Sequence, residues 1–218
     1  MTRAGEIANW FVWTLDMAEP RTAPFRHWLL AEALPPEVAR AIADLPFAPP
    51  EIDDTLGKRE THNASRLFFS AAHRKDFPVC AELAAAFQSE PVTGALEDET
   101  GVRLAGSFLR IEYCQDTDGF WLEPHTDIGA KLFTMLVYLS NAPEAEAWGT
   151  DLYDGERRLL GTAPGGFNRG LVFVPGGDTW HGVEKRRFAG VRRSVIVNYV
   201  KPEWRARHEL AYPDEPIA

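Results

Sequence analysis

The chain has 218 residues, of which 45% are hydrophobic and 25% charged, so it suits one domain with a sizeable core and excludes a disordered or fibrous protein. Its formal net charge of −9 argues against nucleic acid as a partner, because proteins that bind the phosphate backbone usually carry basic surfaces. Two cysteines are too few for a disulfide framework. The first residues lack a signal-peptide layout and no apolar run approaches the ~18 residues of a membrane span, so we expect a cytoplasmic protein without a membrane partner.

The N-terminal half predicts mainly helices, although the periodicity of the first two dozen residues is ambiguous. We predict an edge strand over residues 25–30 and helices over residues 36–45, 77–87 and 91–99. Residues 51–75 are polar and irregular. A loop of that length within a compact domain is more often functional than idle.

After Gly101, short runs of β-branched and aromatic residues follow one another between Gly, Pro, Asn and Asp. They predict strands over 106–114, 131–140, 149–153, 157–161, 171–175, 180–184 and 192–200. Such regular spacing indicates a sandwich or barrel and not βαβ units. We therefore predict a mainly β protein with N-terminal helices (α+β), built on a double-stranded β-helix, the cupin-like jelly roll. We expect a single domain, with helical support and a substrate loop over 1–104, the β-helix core over 105–200, and a tail over 201–218 that contains a short helix over 204–210.

Two histidines and one aspartate stand where a metal would be held. His125 and Asp127 are two residues apart where an apolar run gives way to a turn, and His181 follows a glycine turn 54 residues after Asp127. Each signal is weak by itself, since the first pair also fits a surface loop and His181 also fits a core histidine. Two imidazoles and one carboxylate on one face of a metal leave open positions, which suits a non-haem Fe(II) ion that also takes a co-substrate and O₂.

Arg192 follows His181 by eleven residues and begins a strand with apolar residues on both faces. Such a strand is central, and a buried arginine needs an anionic partner. The distal carboxylate of 2-oxoglutarate is one such partner, and Ser194, on the same face, would donate a second hydrogen bond to it. An internal ion pair with a glutamate is the other interpretation. Thr134 and Tyr138 share a face of strand 131–140, where their hydroxyls would meet the same carboxylate.

From about residue 106 to 200 the sequence resembles the prolyl-4-hydroxylase-like branch of the Fe(II)/2-oxoglutarate oxygenases. The matching elements are Tyr113, His125-Thr126-Asp127, the strand 133–140, His181-Gly182-Val183 and the segment 190–194. One departure is the segment 148–153, where many relatives carry a Gly-Gly-Glu-like strand that borders the substrate. The N-terminal half has no counterpart in the resemblance.

The resemblance implies a role for each matching residue. His125, Asp127 and His181 would bind the iron. Arg192 and Tyr138 would hold the distal carboxylate of 2-oxoglutarate, assisted by Ser194 or Thr134. Tyr113 would lie near the co-substrate or the substrate.

We therefore predict a dioxygenase that uses Fe(II), 2-oxoglutarate and O₂ to hydroxylate a small or medium polar substrate, with release of succinate and CO₂. A cupin-like metal hydrolase or isomerase with the same ligands is an alternative, as is a non-catalytic jelly roll that binds a small molecule. The sequence specifies neither the substrate nor the oligomeric state. Candidates for the mouth of the cavity are Trp121, Trp180, His62, Asn63 and Arg66.

Overall fold

The computed structural model describes residues 2–58 and 66–218, and it begins with a helix that the sequence left ambiguous. Helix α1 (Arg3–Asp16) starts where the Thr2 hydroxyl accepts a hydrogen bond from the amide of Gly5 at 3.2 Å. Its buried residues include Ile7, Phe11 and Leu15, spaced by four, so they form one apolar stripe against the core. Trp10 and Trp13, which lie outside this stripe, obscured it in the sequence.

The other helices lie close to their predicted positions, with one addition. They are α2 (Pro36–Ala43), α3 (Ala71–Asp76), α4 (Pro78–Gln88) and α5 (Glu90–Thr100). Helix α3 was not predicted. The tail forms only a short 3-10 helix, Arg207–Glu209, where a helix over 204–210 was expected. None of the helices within the described residues combines the length and the apolar character needed to cross a lipid bilayer.

Two antiparallel sheets make up the rest of the chain. The strands are β1 (His27–Leu30), β2 (Leu67–Phe68), β3 (Phe108–Asp116), β4 (Leu122–His125), β5 (Lys131–Tyr138), β6 (Asp151–Tyr153), β7 (Leu159–Thr162), β8 (Gly170–Phe173), β9 (His181–Val183) and β10 (Arg192–Val200). One sheet has the order β1-β8-β5-β10-β3-β2 and the other β4-β9-β6-β7. The predicted strands are confirmed with ends shifted by two residues at most, and β1 lies at a sheet edge as expected. Strands β2 and β4 were not predicted.

Strand β10 is central, between β3 and β5, and its two faces have different neighbours. Val195, Val197 and Tyr199 belong to the large core shared with the helices. The opposite face carries Arg192 and Ser194 and looks towards the second sheet. The candidate site residues Arg192 and Ser194 therefore lie on the face of the larger sheet that is turned towards the smaller one, and the helices pack against its other face. Antiparallel sheets with an added helical layer are consistent with a jelly-roll-like fold.

Candidate metal centre

Three potential metal ligands meet at one end of the smaller sheet. His125, at the end of β4, pairs across the sheet with His181, the first residue of β9, and their ring centroids are 4.5 Å apart. Asp127 follows in the loop, and one ligand atom from each of the three residues lies within 4.8 Å of the others. Within residues 2–58 and 66–218, this is the one group of three His, Cys, Asp or Glu side chains that could hold a metal.

The backbone fixes the tautomers of both histidines. Nδ1 of His125 lies 2.9 Å from the carbonyl oxygen of Glu123, and Nδ1 of His181 lies 2.9 Å from that of Thr179. A carbonyl only accepts, so Nδ1 is the protonated nitrogen in the neutral form of each ring, and that form keeps its lone pair on Nε2. Hydrogen bonds of this kind also orient the rings of metal-binding histidines.

Electrostatics prepare His181 and Asp127 for a cation. Burial lowers the pKa of His181 to about 4, although the Asp127 carboxylate opposes the change. The imidazole is therefore neutral near pH 7 and able to donate its lone pair. Burial also opposes ionisation of Asp127, but the charge of Lys131 and the hydrogen bonds from Lys131 and Thr134 outweigh it, and the pKa of Asp127 is lowered to about 2.

Both carboxylate oxygens of Asp127 have protein partners. Lys131 Nζ donates to Oδ1 at 2.6 Å, and the Thr134 hydroxyl donates to Oδ2 at 2.7 Å. Thr134 in turn accepts a hydrogen bond from Asn198 Nδ2 at 2.9 Å. Thr134 therefore orients the candidate ligand Asp127, and the structure does not direct its hydroxyl to a co-substrate.

The hydrogen bonds continue across the sheet as a polar row. Its members are Asp127, Thr134, Asn198, Arg110, Glu112 and Arg66. Arg110 donates to the side-chain oxygen of Asn198 at 3.1 Å and to Glu112 at 2.8 Å. Arg66 donates to Glu112 from both Nε and Nη2, each at 2.8 Å. The polar row thus joins the metal centre to the side of the cavity formed by β2 and β3.

A cavity of about 230 Å³ opens over the three ligands. Besides them it is lined by Arg66, Glu112, Lys131, Thr134, Leu136, Thr150, Arg192, Ile196 and Trp204, among others. The lining combines a few polar and charged side chains with apolar ones, the usual character of a small-molecule site. Arg66 lines it as proposed, whereas Trp121 and Trp180 do not. His62 and Asn63 lie outside the described residues.

Arg192 is buried at the cavity wall and is held by two protein acceptors. Nη1 lies 2.5 Å from Asp116 Oδ2, and Nε lies 2.5 Å from the carbonyl oxygen of Trp148. The internal ion pair that was weighed against a co-substrate role therefore exists, with an aspartate in place of a glutamate. Within the described part of the chain Nη2 makes no hydrogen bond, and Arg192 still faces the cavity.

The hydroxyls expected near Arg192 differ in their partners. The ring of Tyr138 lies 5.7 Å from the guanidinium, but its hydroxyl donates to Thr150 Oγ1 at 2.8 Å and accepts from the Thr150 amide at 3.1 Å. Ser194 is fully buried and its Oγ has no hydrogen-bond partner. An unsatisfied buried hydroxyl is unusual. Of these two hydroxyls, that of Ser194 is therefore the one whose hydrogen-bonding capacity is unused.

Tyr113 lies on the other side of the sheet. It pairs with Val195 in the register of β3 and β10, and it packs in the core shared with the helices. Its hydroxyl donates to the carbonyl oxygen of Ala43 at 3.4 Å. The structure thus separates Tyr113 from the cavity, because odd-numbered residues of β3 face the helices and even-numbered ones face the cavity.

Several residues of the site were not singled out from the sequence. They are Arg110, Glu112, Asp116, Lys131, Thr150 and Asn198. Arg110, Glu112 and Asp116 alternate along β3, so the sequence indicated that they share one face. Both faces of this strand contain apolar residues, and the sequence therefore did not indicate that this face borders the site. Lys131 follows Asp127 by four residues, a spacing that predicts a side-chain contact in a helix but not in a turn that leads into a strand.

Comparisons with known proteins agree on the fold. No family model and no curated protein matches the sequence. A prolyl-4-hydroxylase structure from Pseudomonas putida matches with a TM-score of 0.56 and 14% identity, over 89% of this chain and 94% of that one. A prolyl 4-hydroxylase structure from Phytophthora capsici gives 0.62 and 16%, over 94% and 68%.

A third structure, a prolyl hydroxylase from Trichoplax adhaerens in complex with a peptide fragment of hypoxia inducible factor, gives a TM-score of 0.59 and 14% identity over 91% of each chain. At sequence identities this low, the structural similarity establishes a shared fold and nothing more specific. The resemblance drawn from the sequence is confirmed to that extent, and it extends over the N-terminal half, which the sequence did not place.

Proposed function

We propose that the protein is an Fe(II)- and 2-oxoglutarate-dependent dioxygenase that hydroxylates a small or medium polar substrate and releases succinate and CO₂. The observation that carries this proposal is the convergence of His125, Asp127 and His181 at a cavity that also contains the buried guanidinium of Arg192. Two imidazoles and one carboxylate are the donor set expected for non-haem Fe(II) with open positions.

The residues fit the metal in charge and in hydrogen bonding. His125 and His181 would each donate through Nε2, since Nδ1 is committed to the backbone. Asp127 is ionised, and Thr134 keeps it oriented. Fe(II) with bound 2-oxoglutarate and O₂ would supply the oxidant that converts a substrate C–H group into C–OH.

The residues also fit the co-substrate. Arg192 would pair with the distal carboxylate of 2-oxoglutarate through Nη2, while Asp116 and Trp148 hold the other side of the guanidinium. Ser194 would use its unsatisfied hydroxyl on the same carboxylate. Tyr138 and Thr134 would act as positioning residues, through Thr150 and Asp127 respectively. Tyr113 receives no role.

We further propose that residues 105–200 form a double-stranded β-helix, with 1–104 as its helical support and substrate loop and 201–218 as its tail, all in one domain. Apolar residues around the metal centre, among them Leu122, Leu136 and Ile196, would keep water from the reacting groups. The acidic net charge of the chain supports a polar small molecule over a nucleic acid as substrate.

The test is an anaerobic titration of the purified protein with Fe(II) and 2-oxoglutarate. We expect one iron per chain and a weak metal-to-ligand charge-transfer absorption band, followed under O₂ by substrate-dependent release of succinate in a screen of amino acids, peptides, sugars and lipid precursors. His181→Ala should lose both the band and the iron. Full iron content and an unchanged band in that variant would contradict the assignment, and turnover without O₂ would favour the hydrolase or isomerase.

A further inference from the structure

A second concavity, here called the basic groove, lies directly outside the metal cavity. It has a volume of about 520 Å³ and shares Asp127 and Lys131 with the cavity. Its other charged residues are Arg103 and Lys201. The two concavities therefore adjoin at the candidate ligand Asp127 and at Lys131.

The basic groove concentrates positive charge on an acidic protein. Arg103 and Lys201 are exposed, and neither has an ion-pair partner among the residues that the structure describes. Among the described residues, Asp127 is the one carboxylate that lines the groove, and it also belongs to the candidate metal centre. In a chain with a formal net charge of −9, three cations around one depression create a local field that attracts an anion.

Metal binding would change the electrostatic environment of the Lys131 ammonium. Its ammonium now lies 2.6 Å from Asp127 Oδ1, and its side chain is 19% exposed. A divalent cation bound to the same carboxylate would repel the ammonium. Thr134 is fixed between Asp127 and Asn198, so Lys131 is the partner that can turn away, and the basic groove gives it room. An ammonium displaced in this way is free to pair with another anion in the basic groove.

We propose that the basic groove binds a carboxylate group of the substrate, held by Arg103, Lys131 and Lys201, while the carbon to be hydroxylated lies in the metal cavity. This inference rests on the proposed function and adds the substrate class, a small carboxylic acid. The two adjoining concavities together have the size of an ordinary small-molecule site.

The test uses the Zn(II)-loaded, ¹⁵N-labelled protein with one equivalent of 2-oxoglutarate, so that binding is measured without turnover. The probes are N-acetylglycine and N-acetylglycinamide, which differ in a carboxylate and a carboxamide. We expect N-acetylglycine to shift the amide signals of Gly129, Gly176 and Gly177, which line the groove, and to bind at least about tenfold more tightly. Its affinity should fall as salt is added, because exposed charges are screened.

A matched pair of double variants distinguishes the effect of the charges in the basic groove from the effect of the net charge of the protein. Arg103→Gln/Lys201→Gln should weaken N-acetylglycine binding about five- to tenfold, as the loss of two exposed charge contacts implies. Arg40→Gln/Lys75→Gln removes one arginine and one lysine from the exposed surface of α2 and α3, and it should leave the affinity unchanged. Equal affinity for the two probes, absence of shifts at the three glycines, or equal losses in both double variants would overturn the inference.

The same samples report on the proposed function independently. Zn(II) content and 2-oxoglutarate binding are measured before any probe is added. A protein that binds both and shows no preference for the carboxylate refutes the basic groove alone. A protein that fails to bind 2-oxoglutarate refutes the proposed function.

Discussion

Asp116→Asn is the substitution that tests most directly how Arg192 is used. Asp116 and Arg192 are both almost fully buried, with side chains 4% and 3% exposed, and they form an ion pair at 2.5 Å. Removing one partner of a buried ion pair costs about 3–5 kcal/mol. Asparagine keeps an acceptor oxygen for Nη1, so we expect a smaller loss of about 2 kcal/mol in the free energy of unfolding.

The co-substrate should restore part of that loss. If the distal carboxylate of 2-oxoglutarate binds Arg192, it supplies the negative charge that Asp116→Asn removed. 2-Oxoglutarate should therefore stabilise the variant more than the unchanged protein. For a chain of this size a change of about 2 kcal/mol shifts the melting temperature by about 4–8 °C. Thermal unfolding with Zn(II), with and without 2-oxoglutarate, measures both effects.

Glu156→Gln is the matched control. Glu156 pairs with Arg158 on the surface, where both side chains are more than two-thirds exposed, so its loss should change stability by less than about 1 kcal/mol. The reasoning about Arg192 fails if Asp116→Asn is as stable as this control. It also fails if 2-oxoglutarate stabilises the variant no more than it stabilises the unchanged protein.

Three further outcomes are expected. Arg192→Ala should raise the 2-oxoglutarate concentration needed for half-saturation by about two to three decades while the iron content stays near one per chain, and an unchanged requirement would exclude Arg192 as the anchor. Burial lowers the pKa of His181 from 6.5 to about 4, so the unfolded chain binds a proton between these values that the folded chain does not. In the metal-free protein, the contribution of neutral His181 to the free energy of unfolding should be fully present above pH 6.5. Urea unfolding should show a loss of up to about 3 kcal/mol towards pH 4, and a flatter pH profile in His181→Gln. Thr134→Val removes one hydrogen bond to Asp127 and should weaken metal binding about tenfold in a chelator competition while the far-ultraviolet circular dichroism spectrum stays unchanged.

The strands and the candidate ligands were accessible from the sequence for a simple physical reason. Short runs of β-branched residues between turn residues are local signals, and the predicted strands of the C-terminal half are all present. His125, Asp127 and His181 were readable because their residue types and spacing are restricted by metal chemistry. Helix α1 was not readable, because aromatic residues on its exposed side blurred the apolar stripe.

The partners of the site residues were not accessible in the same way. Alternation correctly put Arg192 and Ser194 on one face of β10, and the structure adds that Asp116 of the neighbouring strand β3 reaches that face. Which strand lies beside which is a long-range property that no local pattern contains. The orientation of Tyr113 depended on the same information: alternation groups Tyr113 with Leu109 and Ile111, but which layer covers that face of β3 is again a long-range property.

The polar row limits how this sequence can change over evolutionary time. Each of its inner members, Thr134, Asn198, Arg110 and Glu112, is nearly inaccessible to water and shares hydrogen bonds with neighbours on both sides. An apolar replacement at any one of them leaves a buried donor or acceptor of the adjoining residue without a hydrogen-bond partner. Single changes are therefore selected against, and compensated pairs of changes are favoured. Substitutions at Arg66 and Thr134, which both line the cavity but are separated by three members of the polar row, should therefore be epistatic in spite of their separation, and homologous sequences should vary at these positions together.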